Sequence, residues 1–267
     1  MAITTVSGYQ AAQNGAVITT IFKNGVTLGN VPWTSLWLAT GSPGAGAIPT
    51  VAATCSNTTP GAVSFVYPAS GILYITDMVF NGGGNFPGPA GLMAYARLSH
   101  MGGLSGTSLV SQLVNLTVPG GLGAFADLSN VEWYVEGYTQ LGITSQTLTI
   151  SYTNTSSVSG QTVTVTLPSS FKSGAMIRVV PTIAGDIIKS IDSCTLAGST
   201  GTAGNFGFTN AICLAVDRAV IGYRTRKPTV FRLGLSAVLN NVCIAFACMD
   251  TFNGGASVLG NIALGVG

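Results

Sequence analysis

Between residues 146 and 167 apolar and polar side chains alternate with a period of two. Leu148, Ile150 and Tyr152 are interleaved with Thr147, Thr149, Ser151 and Thr153; after the turn SSVSG, Val163, Val165 and Leu167 are interleaved with Thr162, Thr164 and Thr166. Successive side chains of a strand point to opposite faces, so the pattern predicts a hairpin with one apolar and one threonine face. Short β-branched runs bounded by Gly, Pro, Asn and Ser predict further strands over 71–80, 109–118, 130–138, 175–182, 187–196, 206–216 and 240–249. Helical periodicity is nearly absent. Strands of this number with glycine-rich connections fit an all-β fold, a two-sheet jelly roll or a related antiparallel β-sandwich.

The beginning of the chain reads differently. An aromatic patch, VPWTSLWL (31–38), runs into TGSPGAGAIPT (40–50), whose Gly, Pro and Ala break any strand. This predicts an N-terminal arm or extension over 1–50 and a main β-sandwich domain over 51–267, with Trp33 and Trp37 as candidate interface residues. A second breaker, NGGGNFPGPAG (81–91), predicts a long surface loop, and no fixed-period repeat marks a solenoid or propeller.

Composition changes the picture mainly at the surface. The hydrophobic fraction, 47%, suffices for a core, whereas the charged fraction is only 7% and the formal net charge +2; about 25% charged is typical of soluble domains. A surface of Gly, Ser, Thr, Asn and Ala has little charge repulsion to keep molecules apart. That points to a protein surrounded by other protein. No run approaches the roughly 18 apolar residues of a spanning helix, and MAITTVSGYQ carries no secretory pattern. No membrane partner is expected, and the protein is expected to assemble in the cytoplasm where it is made.

Candidate chemistry is sparse. The chain has five cysteines and one histidine, with neither zinc spacing nor a disulfide framework, and Cys213 and Cys243 sit in apolar runs expected to bury them. Ser/His/Asp or Cys/His catalysis would have to use His100, in RLSHMGGLSGT, a segment read as a structural turn because GGLSG lacks the spacing of a nucleophile elbow. Glu132 and Glu136 share a strand face about 13 Å apart, too far for a glycosidase pair. With Tyr134 and Tyr138 they are expected on a solvated or interface face. The glycine-rich segments match no phosphate-binding loop, so no catalytic residue, cofactor or metal is expected. Arg218, Arg224, Arg226, Lys227 and Arg232 hold five of the ten Lys and Arg residues. An acidic protein partner or an intersubunit ion pair is the favoured reading of this cluster, a solvated loop the second and nucleic acid the weakest.

Four phrases, SLWLATGSPGAGAIPT (35–50), RLSHMGGLSGT (97–107), TISYTNTSSVSGQTVTV (149–165) and SIDSCTLAGSTGTAGNFGF (190–208), resemble tailed-bacteriophage virion structural proteins. The chain looks similar to capsid cement or decoration proteins. That resemblance implies a β-rich homo-oligomer, a trimer, that binds across major capsid protein subunits and stabilises the head of the virion. Segments around 81–90 and 219–229 depart from the resemblance. A tail, baseplate or fibre-associated protein is the second expectation. A carbohydrate-binding β-sandwich, with Trp33, Trp37 or Trp133 as sugar platform, is the third.

Overall fold

A computed structural model describes residues 3–27, 31–83, 91–120, 127–217, 237–249 and 255–267. One helix, α1 (Val6–Asn14), is capped by Thr5, whose hydroxyl accepts from the Gly8 N–H. The strands in chain order are β1 (Val17–Thr27), β2 (Trp33–Ser35), β3 (Thr40–Ser42), β4 (Ala53–Thr54), β5 (Leu73–Gly83), β6 (Gly91–Leu104), β7 (Gln112–Thr117), β8 (Glu132–Thr139), β9 (Gln146–Asn154), β10 (Gln161–Leu167), β11 (Ala175–Val179), β12 (Ile188–Leu196), β13 (Asn205–Asp217), β14 (Ala237–Val238), β15 (Cys243–Met249) and β16 (Gly255–Val266). Among the described residues no helix is long and apolar enough to cross a membrane.

The fold is all-β and antiparallel, consistent with a jelly-roll-like β-sandwich, and it includes a closed barrel. Two sheets are open, with orders β14-β5-β16-β1-β3 and β10-β9-β12-β7. The third has the order β13-β8-β11-β2-β15-β6-β4, and β6 also pairs with β13, which closes six of its strands into a ring. The expected hairpin is β9–β10, with Val163 opposite Ile150 and Val165 opposite Leu148.

Alternation along the barrel strands sorts side chains into two cores. Leu92, Ala94 and Ala96 of β6, Trp133 and Val135 of β8, Phe206 and Phe208 of β13 and Ile244 and Phe246 of β15 belong to a large core shared with the inner faces of the open sheets. Met93, Tyr95, Tyr134, Met176, Ala211, Cys243, Ala245 and Ala247 point the other way and form a second core inside the barrel. Barrel strands are therefore buried on both faces, as β6 and β8 show.

The described part of residues 1–50, expected as an arm, is tied into the sheets of its own chain. β1 pairs with β16 and β3, while β2 pairs with β11 and β15. Lys23 of β1 is 1% exposed and its Nζ donates to the carbonyls of Ala39 and Gly44, both at 3.1 Å. Burial lowers its pKa to about 8. The glycine stretch folds back over Trp37: Gly46 N–H donates to the Trp37 carbonyl at 2.7 Å, and Trp37 Nε1–H donates to the Ala47 carbonyl at 3.0 Å. A Cβ on Gly46 would lie 2.2 Å from Trp37 Cε2, so only glycine lets the backbone lie on the ring.

Candidate functional site

The polar side chains of the barrel interior converge on Arg97, which β6 carries into the second core at 0% exposure. Its guanidinium makes a forked ion pair with Glu136 of β8: Nη2 to Oε2 at 2.7 Å and Nη1 to Oε1 at 3.2 Å. Nη1 also donates to Tyr95 Oη at 3.3 Å and Nη2 to Tyr138 Oη at 3.0 Å, while Nε donates to His100 Nδ1 at 3.0 Å. The second Glu136 oxygen accepts further from Tyr138 Oη at 3.2 Å and from the hydroxyl of Thr209 on β13. The Trp37 ring covers the cluster, its centroid 4.5 Å from the guanidinium carbon and 5.6 Å from the His100 ring, which meets it edge-on at 82°.

Burial alone would raise the pKa of Glu136, but the Arg97 charge and its hydrogen bonds override that and hold the carboxyl below its ordinary range. Burial opposes the charge on Arg97 too, but Glu136 together with Tyr138, Tyr95 and Cys55 outweighs it and raises the pKa. Burial pushes Tyr95 up to about 12 and raises Tyr138 well above the usual phenol range. The ion pair is therefore charged and both phenols are neutral at ordinary pH.

Two thiols adjoin the cluster. Cys55 follows β4 and shares the barrel core with Cys243 of β15, and Cys243 and His100 act on its thiol as donors. His100 Nδ1 accepts from Arg97 Nε, which leaves Nε2 as the ring nitrogen able to donate. The hydrogen bond from Cys243, then those of His100 and the Arg97 charge, outweigh burial and lower the Cys55 thiol to about 5. Its partnership with Cys55 and its own burial raise Cys243. Among the described residues no group of three or more His, Cys, Asp or Glu could hold a metal ion.

Several sequence expectations change here. His100 lies in strand β6, not in a turn, and is 7% exposed. Glu136, Tyr134 and Tyr138 face the barrel interior, not solvent, because closure buries the face that an open sheet would leave wet. Glu132 is half-buried and pairs with Arg178 at 2.9 Å. Cys213 is exposed, whereas the other four cysteines are buried. Of the candidate interface residues, Trp37 is 1% exposed beneath its own glycine loop, which withholds its ring from any partner, and Trp33 is half-buried. Arg218, Arg224, Arg226, Lys227 and Arg232 lie outside the described residues. Sequence reading missed the Arg97 cluster. An arginine and a histidine three residues apart within an otherwise uncharged run, GLMAYARLSHMGGL, were its available signal.

No protein-family model and no curated protein matches the chain. Among solved structures, the infectious bursal disease virus VP2 subviral particle aligns over 96% of this chain and 81% of that one, at 10% identity and a TM-score of 0.18. The Gt strain of the same virus aligns over 94% and 81%, at 9% identity and a TM-score of 0.16. Likeness of this extent carries no argument about what this chain does.

Proposed function

We propose that this chain is a structural protein of a viral particle, a cement or decoration protein of a phage head that buries surface between shell subunits as a homo-oligomer and catalyses no reaction. The observation that carries the reading is the outer face of the β1–β16 pair. Ile18, Thr20 and Phe22 of β1 lie opposite Ala263, Asn261 and Leu259 of β16. None is charged, and Ile18, Phe22 and Leu259 are 67%, 41% and 48% exposed. Exposed apolar patches on soluble proteins mark interaction sites, and a chain with 7% charged residues has little else with which to hold neighbours off. The phrases resembling virion proteins support the same reading.

In this reading the Arg97–Glu136 cluster holds the barrel wall together, since its donors and acceptors are engaged with one another beneath Trp37. The test is copy number. Quantitative mass spectrometry of purified particles should find the protein at the abundance of the major shell subunit or a simple fraction of it. A handful of copies per particle would place it in the tail, and absence from particles would overturn the proposal.

A further inference from the structure

The Arg97 cluster explains the ion pair, the tyrosines and His100, but not why two thiols meet beside them. β4 and β15 follow one another along the edge of β6 that β13 does not occupy. Ala53 lies opposite His100 and Thr54 opposite Ser99; the Cys55 N–H donates to the Leu98 carbonyl at 2.9 Å; and Cys243 lies opposite Arg97. The two cysteines thus flank consecutive residues of one strand and share the barrel core. The side-chain partners of Cys55 are the donors His100 and Cys243, an arrangement that favours its thiolate.

We propose that Cys55 and Cys243 are a redox-active pair that a peroxide converts into an intramolecular disulfide, joining the segment that follows β4 to the barrel wall. The Cys55 thiolate attacks one peroxide oxygen and breaks the O–O bond. Cys55 becomes a sulfenic acid, and the departing hydroxide takes up a proton to become water. The Cys243 sulfur, losing its proton, then attacks the Cys55 sulfur and expels the sulfenic oxygen as a second water. In sum, two thiols and one hydrogen peroxide give one disulfide and two waters, the thiols being oxidised and the peroxide reduced.

This chemistry suits a protein made in a reducing cytosol and later exposed to an oxidising exterior, although it does not depend on the chain being a shell protein. The buried thiols should compete successfully with Cys213, an exposed residue whose thiol is pushed up to about 11 by partial desolvation and by the nearby Glu132 charge.

The test uses the full-length reduced protein, exposed to dilute hydrogen peroxide, quenched, alkylated and digested without reductant. Mass spectrometry should find a Cys55–Cys243 peptide lighter by two hydrogens, with Cys194, Cys213 and Cys248 alkylated. The oxidised protein should melt at a higher temperature, and reductant should reverse the shift. In a Cys213→Ser variant, which removes only the exposed thiol, the linked peptide should form at an unchanged rate. Oxidation of Cys213 while Cys55 and Cys243 remain alkylatable would overturn the proposal, as would pairing of Cys55 with any other cysteine.

Discussion

Replacing Glu136 by glutamine is the most direct probe of what holds the barrel closed. The carboxylate accepts two hydrogen bonds from Arg97 and others from Tyr138 and Thr209, all at no more than 1% exposure for Glu136 itself. The amide keeps one acceptor oxygen and turns a pair of N–H groups toward groups that are themselves donors. It also leaves the buried Arg97 charge without its paired carboxylate. Removing one member of a buried pair costs about 3–5 kcal/mol, a large part of a total stability of about 5–15 kcal/mol. Urea unfolding followed by tryptophan fluorescence suits the measurement, because Trp37 lies 4.5 Å from the guanidinium. The double replacement Arg97→Met with Glu136→Leu should recover most of the loss, since an apolar pair of similar volume also escapes the cost of burying charge. The folded-state pKa of Glu136 is depressed, so its contribution is complete above the unfolded carboxyl pKa of about 4.3 and is lost as pH falls through the lower folded value. The gap between wild type and Glu136→Gln should therefore be flat near neutrality and narrow in acid. A loss below about 1 kcal/mol at neutral pH, or a double variant as unstable as the single one, would refute the reasoning.

Gly46→Ala should cost about 1–3 kcal/mol by driving a methyl group into the Trp37 ring, while Gly44→Ala, with nothing within 4 Å of its added carbon, serves as a near-neutral control. Equal losses would remove the close-approach argument. Burial lowers Lys23 to about 8 in the fold against about 10.4 unfolded, so the unfolded chain binds the extra proton and stability should rise with pH between those values. Lys23→Met should abolish that rise; urea titrations of the two proteins that stay parallel from pH 8 to 10 would count against it. Reversing Arg224, Arg226 and Lys227 to glutamate should leave the melting temperature of the isolated protein nearly unchanged and sharply reduce its occupancy on particles at moderate salt. Full occupancy would mean that the cluster makes no contact there.

The strands legible in the sequence are those whose two faces meet different surroundings. β9 and β10 put Leu148, Ile150, Val163 and Val165 on the core and threonines toward water, and their alternation survives in the fold. β6 has no wet face: one side packs Leu92, Ala94 and Ala96 on the large core, and the other sends Tyr95, Arg97 and His100 into the barrel. With polar residues buried and small ones spread over both sides, no period of two remains. β16 was hidden by glycines that resemble loop composition. A Cβ on Gly260 would lie 2.3 Å from the Val79 carbonyl oxygen of β5 and one on Gly265 2.2 Å from that of Ala12 in α1, so these glycines let a neighbouring strand and the helix lie close on the backbone of β16. The same blindness concealed the Arg97 cluster, since nothing local announces that Glu136, 39 residues away, faces it across a closed barrel.

The place of β16 sets an order of events at the ribosome. This strand lies between β5 and β1 in its sheet, in register with Leu73–Gly83 on one side and Val17–Thr27 on the other. Both neighbours are synthesised long before it, yet neither gains its central partner until residues 255–266 have emerged. Until then β1 and β5 each lack the partner on the side that β16 takes, the kind of open edge to which chaperones and stray strands bind. The sheet therefore closes by insertion into its middle, and the slowest contacts are those of greatest sequence separation.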